Sequence, residues 1–402
     1  MSNLLSYLRY EQVLKRITRG KVKMNIIRYF EDTKKRDFID CRVTSLRDYF
    51  GYNNINLDSY DIFVLGQTID CSLLKFKLKR ESPLELGLLG GSHLEIEENV
   101  FTSLGITYKK NRFPEDSEDI REEIKRYINQ GKPIIARIDI RYLFDSERIQ
   151  KKYDVHCVST VIICGYDFDY EDCVYIELKE RHNSPLKKVK FSDFEKAINS
   201  NTFPLEIGRT YFEPRIDERT IGDIRDNYKE YLWKALRKIC TIFLEGDVVV
   251  LENQYEYKEI KSGLERLKEV IQMNQKLETS LMHPNMNIDI RKRILAMYFL
   301  TMRDMLTPGS NYCYRLEFGE TLIELANKLD EKEFRKIGKR FKDIAKVWRE
   351  FTRKLSKWNN CTDAEKMRQY FFDVNCLLEE IYTKEYKEFE LIAQIVKANM
   401  NA

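Results

Sequence analysis

His156-Cys-Val-Ser-Thr-Val-Ile-Ile-Cys-Gly-Tyr-Asp167 is a run of β-branched and apolar residues. This composition, over a length typical of strands, predicts a buried β-strand at 156–165. Tyr166–Glu171 predicts a turn, and Cys173–Leu178 has the character of a second strand. With predicted helices before and after this strand pair, the pattern indicates an α+β fold. His156 opens the first strand, where a rigid backbone would hold its imidazole in place.

Cys41-Arg-Val-Thr-Ser-Leu-Arg-Asp-Tyr-Phe-Gly51 predicts a helix, because Val43, Leu46 and Phe50 share one face and Gly51 is a stop signal. A thiol at the start of a helix lies at the positive end of the helix dipole, which favours the thiolate. Asp40 is a residue type that caps helix N-termini. Its negative charge has the opposite effect, because it raises the pKa of a neighbouring thiol.

Cys41 and His156 together are candidates for a catalytic thiol and its base. The cysteine comes first and the histidine about a hundred residues later, before a strand, a turn and a strand, which is the papain-like order. Each residue also has an ordinary interpretation, as a half-buried small side chain and as a hydrogen-bonded core histidine. The third member of a triad would be Glu177 or Glu180 on the following strand, which alternation places on opposite faces. A solvated strand glutamate is the alternative for either.

Three further residues are candidates for substrate binding. Gln67 and the predicted glycine-rich turn that contains Gly91 and Ser92 could supply oxyanion donors or shape an acyl channel. The alternative is that they are ordinary turn residues. His93 is a second candidate base.

The chain divides into three segments by composition and hydrophobic pattern. Residues 1–35 are basic and mostly helical in pattern, which predicts a helical lead-in or a packing arm. Residues 36–215 mix helical and strand patterns, and residues 216–402 have helical periodicity with few glycines and prolines. The third segment predicts an all-helical domain. Its helices include the following: Asp217–Leu244, Tyr255–Gln275, Ile288–Met305, Leu316–Leu329, Lys332–Leu355, Ala364–Tyr382 and Glu385–Lys397.

Composition argues against several classes of protein. The 402 residues carry 69 Lys and Arg against 65 Asp and Glu, and no nucleic-acid-binding motif occurs. No signal peptide and no run of about 18 apolar residues is present, so we expect a cytoplasmic protein without a membrane span. Nine cysteines without paired spacing favour reduced thiols, and four histidines without a Cys-x-x-Cys argue against a structural zinc site. We predict no bound metal and no cofactor.

Four short motifs give the chain a resemblance to the butirosin biosynthesis protein H family. They are Cys-x-x-Thr-Ser-Leu-Arg at 41–47, Ile-Phe-x-Leu-Gly at 62–66, Gly-Lys-Pro-Ile-Ile-x-Arg-Ile-Asp at 131–139 and His-x-x-x-x-Val-Ile-Ile-x-Gly-Tyr-Asp at 156–167. The resemblance covers about residues 36–205. Two positions depart from the family pattern: Asp40 stands where a histidine is common, and Leu178 stands between Glu177 and Glu180 where an aspartate is common.

The resemblance implies a papain-like amino-terminal domain followed by a helical domain, and an acyltransferase activity. Cys41 would carry an acyl group taken from the phosphopantetheine arm of an acyl carrier protein, and His156 would be the base for amide formation with an amine. The second hypothesis is a cysteine hydrolase, either a peptidase or a thioesterase, that uses the same residues. A non-catalytic scaffold that binds a carrier is the third. A basic face at Arg335–Lys346 and Arg349–Lys357 could dock a carrier or be a solvated helix surface, and homodimerisation is left open.

Overall fold

A computed structural model provides the structure of the chain. It describes residues 25–31, 40–77, 85–92, 95–143, 158–177, 186–200, 207–250, 259–283, 286–306, 313–361 and 363–401. The helices are α1 Cys41–Tyr52, α2 Ser59–Leu65, α3 Ile96–Ser103, α4 Ser117–Asn129, α5 Phe191–Ile198, α6 Glu218–Asp226, α7 Tyr228–Glu245, α8 Glu265–Leu281, α9 Ile288–Leu306, α10 Arg315–Lys328, α11 Glu333–Leu355 and α12 Ala364–Met400. The strands are β1 Asn25–Ile26, β2 Ile69–Lys77, β3 Glu85–Ser92, β4 Tyr108–Arg112, β5 Ile134–Asp139, β6 Val158–Asp167, β7 Cys173–Glu177, β8 Leu186–Lys190, β9 Thr210–Pro214, β10 Asp247–Val250 and β11 Glu259–Ser262.

The described residues fall into two compact units. The first unit takes those of 1–36, 109–152 and 158–213, and the second takes those of 37–108 and 214–402. A sheet-containing amino-terminal region is followed by helices, and the predicted α+β class is confirmed. The segment boundaries at 36 and 216 stay a prediction. The compact units nevertheless group residues 37–108 with the carboxy-terminal helices.

The first unit is built on one sheet in the order β4-β9-β5-β6-β7-β8, with β1 against β6. The strands from β5 to β8 pair in antiparallel fashion. One face carries apolar side chains at alternate positions, such as Val161 and Ile163 of β6, and these pack in one cluster with Ile120 and Ile124 of α4. The period-two alternation of β6 and the helical period of α4 thus produce one core.

A β-bulge interrupts β6 between Ile163 and Gly165. A Cβ atom at Gly165 would lie 2.8 Å from the carbonyl oxygen of Asn25, so the approach of β1 requires a glycine here. Of the predicted helical lead-in, only residues 25–31 are described, and they form β1 and a 3₁₀ turn at Arg28–Glu31.

The second unit combines a four-stranded sheet, in the order β10-β11-β2-β3, with α1–α3 and α6–α12. Its core is rich in aromatic side chains; Phe318 of α10, for example, packs against Phe341 of α11 and Phe389 of α12. Helices α10 and α11 cross closely at Gly319 and Gly338, since a Cβ atom on Gly319 would lie 2.6 Å from the Gly338 carbonyl oxygen.

Four local predictions differ from the structure. Residues 86–91, predicted to be a turn, lie in β3, and the segment predicted to be all-helical contains β10 and β11. The predicted helix Asp217–Leu244 is divided at Asn227 into α6 and α7, whereas the two predicted helices at 364–397 are the single helix α12. Strand pairing explains the first error: Gly90 lies opposite Ser72 of β2, where a Cβ atom would meet the Ser72 hydroxyl at 2.5 Å. The glycines of β3 therefore serve close packing in a sheet.

Candidate active site

Cys41 is the first residue of α1 and is half-buried. The helix begins here because Asp40 adopts an extended backbone and caps it: Asp40 Oδ1 accepts hydrogen bonds from the backbone N–H groups of Arg42 at 2.8 Å and Val43 at 3.1 Å. The predicted cap is thus present. It fixes the thiol-bearing residue at the positive end of a 12-residue helix.

Tyr314 completes the hydrogen bonding of Asp40. Its hydroxyl donates to Asp40 Oδ2, across 274 positions of sequence. Burial and the neighbouring Asp40 carboxylate raise the pKa of Tyr314 well above its usual value, so the phenol stays protonated, and Cys41 and Glu317 also contribute to that shift. The sequence did not predict a role for Tyr314, since nothing local to position 314 connects it with position 40.

The backbone at Tyr314 is strained. Cys313 and Tyr314 have φ angles of 51° and 60°, so two successive non-glycine residues lie in the left-handed region just before α10. Such conformations persist where the surroundings enforce them, and they cluster at functional sites. Gly91 of β3 is part of those surroundings, because a Cβ atom on it would lie 3.0 Å from Cys313 Cβ and 3.1 Å from Cys313 Cα.

Arg42, the residue after Cys41, forms a buried ion pair with Glu97 of α3. Arg42 Nε and Nη2 lie 2.8 and 2.7 Å from the two carboxylate oxygens, a bidentate arrangement. Burial alone would lower the pKa of Arg42, but the charge and hydrogen bonding of Glu97 outweigh it and raise the pKa. The pair holds the start of α1 against the start of α3.

Gln67 lies directly beyond α2, in the second unit, with a φ angle of 49°. Its side chain is buried, and within the described ranges its Oε1 atom accepts no hydrogen bond; the same holds for the fully buried hydroxyl of Thr68. Buried polar atoms without partners are rare and require a specific explanation, of which a binding role is one. The neighbouring Gly66 packs on Ile96 and Val100 of α3, the helix whose Glu97 pairs with Arg42.

The remaining predicted site residues lie elsewhere. Glu177 ends β7 in the first unit, where it is buried and lies opposite Ile162 of β6. Ser92 ends β3. His156, Glu180 and His93 lie outside the described residues. The structure therefore groups Cys41, Gln67 and Gly91 in one unit, whereas the predicted triad remains a prediction.

The segment that bears these residues has a known counterpart. Residues 40–176 match the family described as butirosin biosynthesis protein H, N-terminal. The predicted resemblance to the butirosin biosynthesis protein H family is confirmed over this segment, which begins at Asp40, the cap of α1, and ends within β7. Cys41, Gln67, Gly91 and His156 fall inside the match, and Glu177 directly follows it.

The other comparisons add little to this assignment. No curated protein matches the chain. Among the described helices, none combines the length and the apolar character that crossing a membrane requires.

Proposed function

We propose that this protein is an enzyme of natural-product biosynthesis that forms an amide from an acyl thioester and an amine, with Cys41 as the nucleophile. One observation carries the proposal: Cys41 is a half-buried thiol at the capped start of α1, within the segment that matches butirosin biosynthesis protein H. A thiolate is favoured at that position, and a thiolate is the form that attacks thioesters.

The proposed reaction has two acyl transfers. The Cys41 sulfur attacks the thioester carbonyl, and the bond to the donor sulfur breaks, so that the donor leaves as a thiol and the acyl group stays on Cys41. An amine then attacks this acyl-enzyme, and the amide departs as the Cys41 sulfur is released. His156 takes the proton from the Cys41 thiol and gives it to the departing donor sulfur, and it then takes the proton from the amine and returns it to the Cys41 sulfur. Glu177 or Glu180 orients the imidazole.

Gln67 is the proposed donor to the oxyanion that forms during each attack. Support comes from its buried side chain and from its strained backbone. A side-chain amide can donate through nitrogen while its oxygen contacts another polar group of the substrate. Donors of this kind contribute when they are fixed in place before the reaction.

The acyl donor is proposed to be an acyl carrier protein, with the acyl group on its phosphopantetheine arm. Carrier proteins are acidic, and the exposed face of α11 is rich in lysine and arginine. Within α11, however, Lys336, Lys346 and Arg353 pair with acidic residues three positions earlier. These pairs reduce the unpaired positive charge on the exposed face of α11. The face is therefore as consistent with a solvated helix surface as with a docking site for a carrier protein.

The direct test is the mass of the intact protein after incubation with a panel of acyl carrier thioesters. We expect a gain equal to the acyl group in the wild type and in Cys376→Ala, which removes an exposed cysteine of α12, and no gain in Cys41→Ala. A gain that persists in Cys41→Ala, or no gain with any thioester, would contradict the proposal.

Product analysis separates transfer from hydrolysis. With the acyl-enzyme formed, an added amine panel should convert the acyl group into an amide and regenerate the thiol. If the free acid is the only product with every amine, the protein is a hydrolase that uses the same cysteine.

A further inference from the structure

Asp40 presents an electrostatic problem for a nucleophilic Cys41. A carboxylate beside a thiol raises the thiol pKa and so lowers the fraction of the reactive thiolate. Asp40 is nevertheless the residue that caps α1, and it is buried, with 5 % of its surface exposed. A thiolate at this position requires that the charge of Asp40 be compensated by its neighbours.

In the part of the chain that the structure describes, three donors contact the Asp40 carboxylate. Two are the backbone N–H groups of Arg42 and Val43, which every N-cap uses. The third is the hydroxyl of Tyr314, whose position is specific to this fold. Hydrogen bonds to a carboxylate disperse its charge and weaken its field at nearby groups.

The position of Tyr314 is enforced by its surroundings. Tyr314 and Cys313 adopt the left-handed conformation, and Gly91 of β3 leaves the space that the Cys313 backbone occupies. The ring of Tyr314 packs 6.2 Å from that of Phe63 in α2. A strained backbone in a packed environment aims this hydroxyl at the cap of the helix that carries Cys41.

Among the described residues, titratable groups on three elements face this point. Asp40 and Arg42 lie at the start of α1, Tyr314 and Glu317 at the start of α10, and Glu97 and Glu98 on α3. Arg42 is held by Glu97 and also interacts with the Asp40 charge. The hydroxyl of Tyr314 is the contact to Asp40 that can be removed without altering a charge.

We propose that Tyr314 is a positioning residue for Cys41: its hydroxyl holds the Asp40 carboxylate on the helix start and reduces the effect of that charge on the thiol. The inference rests on the proposed function of Cys41 as a nucleophile. It does not depend on which acyl group or amine the protein uses.

The test is the pH dependence of Cys41 alkylation by iodoacetamide, read by peptide mass spectrometry, with Cys376 in the same molecule as the reference. In Tyr314→Phe we expect the Cys41 profile to move to higher pH by about half a unit, which slows alkylation at pH 7 about threefold. In Asp40→Asn, which keeps a good capping residue, the profile should move to lower pH. Adding Tyr314→Phe to Asp40→Asn should leave the profile unchanged.

The matched control is Tyr231→Phe, because Tyr231 donates to Asp223 elsewhere in the same unit. It should leave the Cys41 profile unchanged. The proposal is overturned if Tyr314→Phe leaves the Cys41 alkylation profile unshifted. It is also overturned if Tyr314→Phe shifts that profile equally in the wild type and in Asp40→Asn. If Tyr314→Phe does not fold, an unshifted profile in Asp40→Asn alone overturns it.

Alkylation needs no acyl substrate, so the two proposals fail separately. A shifted profile without an acyl-enzyme would refute the acyl transfer and leave the positioning role intact. An acyl-enzyme with an unshifted profile would refute the positioning role alone.

Discussion

Gly91 is the residue at which β3 comes nearest to the backbone of Cys313. A methyl group there would meet two atoms of Cys313 at 3.0 and 3.1 Å, and the left-handed backbone at 313–314 limits how far they can move. We expect Gly91→Ala to lower the free energy of unfolding by about 1–3 kcal/mol, the usual cost of overpacking. Urea-induced unfolding of the full chain measures it.

Gly222 of α6 provides the matched control, since nothing lies within 4 Å of a Cβ atom placed on it. Gly222→Ala should leave stability unchanged or raise it by up to about 1 kcal/mol, because alanine favours the helix. Equal effects of the two substitutions would contradict the contact at Cys313.

Individual site residues differ in how far sequence could predict them. Asp40 was predictable, because a capping residue before an amphipathic run is a local signal. Tyr314 was not, because its contact with Asp40 spans 274 positions and its left-handed conformation has no local marker such as a glycine. The ion pair of Arg42 and Glu97 was equally hidden, since charged residues at helix starts are ordinarily solvated.

At the scale of elements, the packing of the start of α1 against the start of α3 depends on the ion pair of Arg42 and Glu97. Arg42 and Glu97 are both buried and bidentate. Removing one partner leaves an uncompensated buried charge, so we expect Glu97→Gln or Arg42→Met to cost about 3–5 kcal/mol of unfolding free energy. The double variant Arg42→Met with Glu97→Leu should cost less than the sum of the single changes, as a double-mutant cycle by urea unfolding can show.

An exposed pair on α12, Lys384 with Glu380, is the comparison for this cycle. Its two side chains are nearly half exposed, and Lys384→Met should change stability by less than about 1 kcal/mol. If breaking the buried pair lowered the free energy of unfolding no more than breaking this surface pair, the structural role assigned to Arg42 would be wrong.

Elements whose signal is local were predicted well, and those that depend on distant pairing were not. The helix α1 and the strands β6 and β7 have a hydrophobic period or a β-branched run of their own. By contrast, β3 contains three glycines, and β10 and β11 lie between helices. The strand character of β3 and β11 arises from pairing with β2, which no local pattern reports, whereas the valines of β10 at 248–250 are a local strand signal.

At the scale of the molecule, the segment that carries Cys41 packs with the carboxy-terminal half. In the second unit β2 pairs with β11, α2 contacts α7 and α10, and Phe63 of α2 packs on Phe318. Residues 1–215 expressed alone would leave these apolar surfaces exposed. We expect that fragment to bind the dye ANS, measurable by fluorescence, because residues 37–108 lack their packing partners in the second unit.

Complementation gives the corresponding control. Co-expression of residues 216–402 with residues 1–215 should abolish ANS binding if the contacts of the second unit are what the fragment lacks. A fragment 1–215 that binds no ANS would show that residues 37–108 are stable without the carboxy-terminal helices.

The contact between Asp40 and Tyr314 has a consequence for biosynthesis of the chain itself. A ribosome adds roughly 5–20 residues per second, so the 274 positions between them take about a quarter of a minute to a minute to translate. Throughout that interval the nascent chain lacks the hydroxyl of Tyr314, which donates to the Asp40 carboxylate. The surroundings of Cys41 are therefore completed late, after most of the polypeptide has emerged, and a message truncated before residue 314 lacks this contact.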